Sequence, residues 1–305
     1  MSSRRVTITG ATGLIGPQLV SALREDGWQV TVLSRYPQRA REKLGDVEAF
    51  AWDLISEPAP AEALSGRDAV VHLAGEPVAQ RWSAETKKAI RESRVLGTSN
   101  LIEGLRSAEP RPHVLVSSSA TGYYGPRGIE PLDEEAPAGV DFLAEICVAW
   151  EQAAERAAEL QMRVVRVRTG VVLDRDGGAL EKMLPPFQLG VGGPVAGGRQ
   201  FIPWIHTEDL VGIMRSAIED ERWSGAVNGT APTPVSNRDF SKALGRVLHR
   251  PSFLPVPGLA LQVLYGEMAE IVTSGARVVP AKPLMLGYEF RHPELEEALR
   301  SALSG

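Results

Sequence analysis

Three glycines in the run Thr9-Gly-Ala-Thr-Gly-Leu-Ile-Gly16 are the residues of this chain with the clearest chemistry. Glycine at Gly10, Gly13 and Gly16 strips Cβ atoms from a tight turn, so that backbone N–H groups can close on an anion. Between a strand and a helix, such a turn is where the pyrophosphate of a dinucleotide meets the helix dipole, with Thr12, Leu14 and Ile15 contributing main chain. Ser34 and Arg35 follow the next apolar run. An acidic residue there would accept hydrogen bonds from an adenosine ribose 2′-OH, whereas arginine offers a planar fork to a 2′-phosphate. Bonds of that charge-assisted kind contribute about 1.5–3 kcal/mol each. The pair therefore selects NADP(H) over NAD(H). Arg39 is either a second cation for the same phosphate or part of a solvated helix face. Asp53 and Leu54 close the third apolar run on the adenine side, and Leu73, Ala74, Gly75 and Glu76 close the fourth. Small side chains at 74 and 75 let a ribose or a flat ring lie against backbone. Arg81 follows on a short loop.

Proton-transfer candidates are fewer. Ser118 and Ser119 end the fifth apolar run, and Tyr123 and Tyr124 stand on the loop after it. Ser119 with Tyr124 is the catalytic pair these residues allow; in the other reading Tyr124 is a packing residue with its hydroxyl satisfied. The lone thiol, Cys147, lies on an apolar helix face, where a cysteine is usually core. His206 and Asp209 make a His-x-x-Asp pair at a helix start, which reads as capping and orientation, and no metal site is expected. Lys182 and Arg199 flank a glycine-rich stretch at 190–198, read either as a cover over a phosphorylated or polyol substrate or as a flexible connection.

The elements that must position these groups follow from periodicity. Apolar β-branched runs at 5–9, 30–33, 47–52, 69–73, 113–117 and 164–167 alternate with amphipathic stretches at 14–26, 37–44, 61–64, 84–106 and 142–160. Each crossover helix must bury its stripe on the sheet, so the fold class is α/β, a Rossmann-type doubly wound parallel sheet with a smaller C-terminal substrate lobe. The nucleotide-binding domain is expected over 1–173, completed by about 200–230, and the lobe over 174–305. Strand-like 201–205 and helices at 237–248, 259–272 and 293–302 belong to this second part.

Composition narrows the function classes. The 305 residues carry 38 acidic and 33 basic side chains, a net charge of −5, so no global positive field recruits nucleic acid or acidic lipid. Any anion must be met locally. No run approaches the roughly 18 apolar residues that span a bilayer, and the N-terminus lacks the pattern of a signal peptide. One cysteine suits a reducing compartment, so the expectation is cytoplasmic.

These motifs, in this order, resemble the short-chain dehydrogenase/reductase superfamily, in its extended, nucleoside-diphosphate-sugar-epimerase-like branch. The resemblance spans nearly the whole chain, through Thr9 to Gly16, Asp53-Leu54, His72 to Gly75, Ser117-Ser-Ser-Ala-Thr-Gly-Tyr-Tyr-Gly125 and Trp204-Ile-His-Thr-Glu-Asp-Leu210. More narrowly, Arg81-Trp-Ser83, Ser93-Arg-Val-Leu-Gly-Thr98, Arg168-Thr-Gly-Val-Val-Leu173, Leu189-Gly-Val-Gly-Gly-Pro194 and Gly266-Glu-Met268 are similar to an atypical subgroup called epimerase family proteins. The resemblance implies an NADP(H)-dependent oxidoreductase or epimerase acting on a sugar-nucleotide-like or other small polar carbonyl or hydroxyl substrate. It also implies a homodimer through the long helices at 84–106 and 142–160. The superfamily's Tyr-x-x-x-Lys pair is missing, because Leu143 and Cys147 stand at those positions. Leucine transfers no proton, and a positioned acid/base contributes about 10²–10⁴-fold of rate. The alternative is accordingly a non-catalytic NADP(H)-responsive sensor.

Overall fold

A computed structural model describes residues 4–304. Seven parallel strands form the central sheet: β1 (Arg5–Thr9), β2 (Gln29–Ser34), β3 (Glu48–Ala51), β4 (Ala69–His72), β5 (Val114–Ala120), β6 (Arg163–Thr169) and β7 (Gly225–Gly229). Their spatial order is β7-β6-β5-β4-β1-β2-β3, the doubly wound arrangement expected from the alternation. The order reverses between β1 and β4, and the register sets Thr9 opposite both Leu33 and His72. The carboxyl ends of β1, β2 and β4 therefore stop level with one another and open a crevice at the switch point, the usual ligand position of such sheets.

Both faces of the sheet are covered. On one, α1 (Gly16–Glu25) and α2 (Pro37–Leu44) pack with the later helix α6 (Thr207–Glu219), burying Leu19, Leu23, Leu44, Ile213 and Met214. On the other, α3 (Ala84–Arg106) and α4 (Phe142–Glu155) bury Leu101, Ile102, Leu105 and Ala154. Strand residues alternate accordingly: Val114 and Val116 enter the first core and Leu115 the second. Ser83 and Asp141 cap α3 and α4 by accepting the N–H groups of Thr86 and Ala144.

A third core joins α5 (Gly178–Gln188), α7 (Asn237–Val247) and the closing helix Leu295–Ser304 through Leu180, Leu184, Trp204, Phe240, Leu244 and Leu299. Several elements depart from the periodicity. The stretch at 61–64 is a single 3₁₀ turn, Ala61–Ala63, and the fourth long helix tightens to 3₁₀ geometry at Arg156–Leu160. The run at 201–205 is two short strands, Phe201–Ile202 and Trp204–His206, divided by Pro203, which has no N–H for a ladder. Helix α5 carries Pro185 and Pro186 inside its last turns, a composition that reads as loop.

Candidate functional site

The glycine-rich turn joins β1 to α1 at the mouth of the crevice. Gly10 has φ +68°, and a Cβ there would lie 2.7 Å from the Ala74 nitrogen. At Gly16 a Cβ would stand 2.2 Å from the Ala11 carbonyl oxygen, so any side chain would push α1 off the turn. Gly13 N–H closes the loop by donating to the Gly10 carbonyl at 3.0 Å. Helix α1 has no side-chain cap and no acidic residue in its first turn, so its leading N–H groups and dipole face the crevice without a protein anion. Thr12 presents its carbonyl to Lys43 Nζ at 2.9 Å, which brings a cation to the turn that sequence reasoning missed. Leu14 packs under the glycines of the lobe, where a Cβ on Gly177 would meet it at 2.6 Å.

At the end of β2, the Ser34 hydroxyl accepts the Tyr36 N–H at 3.1 Å and so sets the turn. Arg35 and Arg39 are exposed and flank the Tyr36 ring, their guanidinium carbons 5.9 and 5.1 Å from its centre. Among the described residues neither makes an ion pair within the protein, so both charges face solvent beside the crevice. Asp53 turns its carboxylate onto the Ile55 N–H, and Leu54 seals the loop against Gly97 of α3, where a Cβ would meet it at 2.5 Å.

The β4 end is held by a buried relay. His72 Nδ1 meets Thr9 Oγ1 at 2.7 Å and its Nε2 meets Thr98 Oγ1 at 3.1 Å. Burial, reinforced by the nearby Arg94 charge, pushes the His72 pKa down to about 4, so the ring is neutral and works as a spacer. The same Thr9 hydroxyl accepts the Ala74 N–H at 3.2 Å, and Leu73 N–H donates to the Thr9 carbonyl. Glu76 N–H donates to Ser93 Oγ at 2.9 Å. Residues 73–76 are thereby fixed directly beside the phosphate turn, while Arg81 is exposed on the loop beyond.

Ser119 and Tyr124 come together through two charged residues that sequence reasoning left without a role. Arg168 on β6 forks onto the Glu151 carboxylate of α4 with contacts of 2.8 and 3.0 Å. Ser119 Oγ donates to Glu151 at 2.7 Å, and Arg168 donates to the Tyr124 hydroxyl at 3.0 Å. That hydroxyl donates to Asn228 Oδ1 at 2.6 Å, and the Glu134 carboxylate accepts Asn228 N–H and Lys282 N–H. Arg168 also lies on the Tyr123 ring, 3.4 Å from its centre. Tyr124 is fully buried, and burial pushes its phenol up to about 12 against the pull of Arg168 and Asn228. Of the two readings of Tyr124, the geometry is that of a packed tyrosine with its hydroxyl satisfied. The signal available in sequence was the alternating charge in Arg163–Thr169: Arg168 falls on a strand position that must face inward.

Leu143 and Cys147 face the turn after β5, where a Cβ on Gly122 would lie 3.4 Å from Leu143 Cβ and 3.8 Å from Cys147 Sγ. The Cys147 thiol is buried, and burial together with Glu151 pushes it up to about 12. It is a core thiol rather than an acid.

Around the rim, Trp82 packs edge-on to Phe142 with ring centres 5.1 Å apart, and Lys87 lies over both rings. Lys87 reaches Glu267 and Lys182 reaches the Ala79 carbonyl, so two lysines clasp the lobe to the β4–α3 segment. The stretch at 190–198 pairs with 254–256: Ala196 N–H donates to the Val256 carbonyl at 3.0 Å, and Arg199 is exposed. Asp209 accepts the N–H groups of Arg291 and His292 at 2.7 and 3.0 Å, an orienting role. His292 and Glu208 join His206, with ligand atoms within 4.8 Å of one another, but the His206 Nδ1 is spent accepting the Glu208 N–H.

Fold and site together define a nucleotide-binding member of the extended short-chain dehydrogenase type. The chain belongs to the NAD dependent epimerase/dehydratase family, whose model matches residues 6–228; a domain of unknown function matches residues 256–302. Among its relatives is the chloroplastic epimerase family protein SDR39U1 homolog of Arabidopsis thaliana, 43% identical over 99% of this chain and 87% of that protein. The epimerase family protein SDR39U1 of Mus musculus is 37% identical over 98% of this chain and all of its own length. The crystal structure of human SDR39U1 (isoform 2) with NADPH superposes with a TM-score of 0.89 at 36% identity, covering 99% of both chains.

Proposed function

We propose that this chain binds NADP(H) and uses it on a small polar carbonyl or hydroxyl compound, sugar-nucleotide-like in character. The observation that carries the reading is the pairing of an uncapped, glycine-lined helix start with two exposed arginines that make no ion pair among the described residues, Arg35 after β2 and Arg39 on α2. The crevice fits the group: a Cβ would fill the cradle at Gly10 and Gly16, and Arg35 and Arg39 offer the charge that a 2′-phosphate needs. Gly10, Thr12, Gly13, Leu14, Ile15 and Gly16 would hold the pyrophosphate, with Ser34 and Arg35 on the 2′-phosphate. Asp53 and Leu54 would line the adenine side, and Leu73 to Glu76 the inner ribose, with Arg81 at the rim. The relative crystallised with NADPH supports the choice of nucleotide. When bound, the nucleotide supplies or takes up a hydride.

Ser119 and Tyr124 then act as positioning residues: through Glu151 and Arg168 they lock the ends of β5 and β6 that floor the substrate space. Trp82 and Phe142 give that space an aromatic wall, and Lys87 a cation at its edge. The compartment is a reducing cytoplasm, and a homodimer would form across α3 and α4. Single-turnover oxidation of bound NADPH by a panel of carbonyl compounds and sugar nucleotides tests the reaction. Oxidation by at least one class is expected, and inertness to all of them with intact binding would defeat it. The second reading, a sensor of nucleotide redox state, is favoured by Leu143 and Cys147 facing Gly122 as apolar packing. It requires NADPH and NADP⁺ to differ in their effect on proteolysis of the lobe.

A further inference from the structure

We propose that Arg94, reaching from α3 to the underside of Gly75, is a fixed cation that makes this chain hold the reduced nicotinamide nucleotide more tightly than the oxidised one. The proposal rests on the cofactor reading above and concerns the nicotinamide end, not the phosphate handle.

The guanidinium lies flat against the β4 end: a Cβ on Gly75 would stand 3.4 Å from its Cζ and 3.5 Å from both terminal nitrogens. Nη1 donates to the carbonyls of Glu76 at 2.9 Å and Ile90 at 3.3 Å, and the group packs on the Trp150 ring, 5.0 Å from its centre. Among the described residues no carboxylate lies within ion-pair distance of it; the Glu76 carboxylate, which accepts from the Gln80 amide at 3.1 Å, attracts it only from farther off. Its other neighbours add no countercharge, since His72 is held neutral and the Cys147 thiol is held protonated. Burial works against the guanidinium's own charge. A half-buried cation without an anion in contact with it is costly to keep. Pinning the turn at Glu76 and Ile90 uses one nitrogen and needs no charge.

The charge faces the crevice wall at β4, past the pyrophosphate turn, on the side away from the Arg35 end. The oxidised nicotinamide ring carries a positive charge and the dihydro ring carries none, while phosphates and riboses are the same in both. A fixed cation there repels only the oxidised ring, and a screened interaction between two unit charges several ångströms apart is worth on the order of tenfold in affinity.

Calorimetric titration with NADPH and with NADP⁺ tests this on the wild-type chain, Arg94→Gln and Arg94→Lys. The wild type is expected to favour NADPH about tenfold, Arg94→Gln to lose most of that ratio, and Arg94→Lys to keep it. A purely structural Arg94 would weaken both nucleotides alike and leave the ratio unchanged, which overturns the proposal, as does a wild type without preference. Should Arg94→Gln fail to fold, Cys147→Asp places a carboxylate beside the guanidinium and is expected to erase the preference; an unchanged ratio there overturns it too. Absence of any nucleotide binding by the wild type is a different result, which removes the cofactor reading and this proposal with it.

Discussion

At the scale of single residues, the account separates groups that face solvent from groups that hold the frame. Arg35 stands outside the packed protein, so Arg35→Ala should leave folding untouched and weaken NADPH by about 10–100-fold, the value of one charge-assisted bond of about 1.5–3 kcal/mol. NADH binding should be unchanged; equal loss for both nucleotides would show that Arg35 does not meet the 2′-phosphate. Glu151 is the opposite case. Arg168 and Glu151 are both only 4% exposed in their side chains, so Glu151→Gln strands a guanidinium in the interior. A loss of about 3–5 kcal/mol in urea denaturation is expected; a loss below about 1 kcal/mol would mean the pair is not the clasp described. The solvent-facing residues were legible in the sequence because a glycine cradle and an arginine after a strand carry their meaning in a few neighbouring positions. The Ser119–Glu151–Arg168–Tyr124 cluster was not. Its members lie on β5, α4, β6 and a turn, up to 49 residues apart, and only the strand pairing of Ser119 with Arg168 brings them together.

At the scale of elements, what could be read was whatever has a strict period. The strand Arg5–Thr9 and the helices Pro37–Leu44 and Ala84–Arg106 fall where alternation and amphipathic spacing put them. Helix Gly178–Gln188 was illegible because Pro185 and Pro186 usually end a helix; here they occupy its closing turns, and Leu189 N–H returns to the Pro185 carbonyl. The turn at 286–292 was likewise hidden, since a side chain from a distant helix helps to dock it. Asp209, 1% exposed, accepts two main-chain N–H groups of this turn, and its carbonyl takes the Tyr288 hydroxyl at 3.0 Å. Asp209→Ala should leave those amides unsatisfied at a cost of about 1–3 kcal/mol each. Hydrogen exchange at Arg291 and His292 should rise well before exchange in the sheet; protection equal to wild type would contradict the docking role.

At the scale of the whole molecule, two buried histidines tie stability to pH. His72 and His206 are both pushed down to about 4, His72 by burial and then Arg94, His206 by burial and then His292. Between the ordinary imidazole value of about 6.5 and pH 4, the unfolded chain binds these protons and the folded chain does not, so stability rises with pH across that window. Acidification from pH 7 should therefore lower the melting temperature through this range, and His72→Gln should flatten part of the slope. An identical slope in the variant would place the acid sensitivity elsewhere.

The central claim is that one crevice, at the switch point between β1 and β4, grips a dinucleotide while cations one strand away select its extra phosphate. Equilibrium titration of the purified chain with NADPH and NADH tests it most directly. Saturable binding of NADPH, at least tenfold tighter than NADH at moderate salt, is the predicted result. Equal affinities, a preference for NADH, or no saturable signal from either would contradict it.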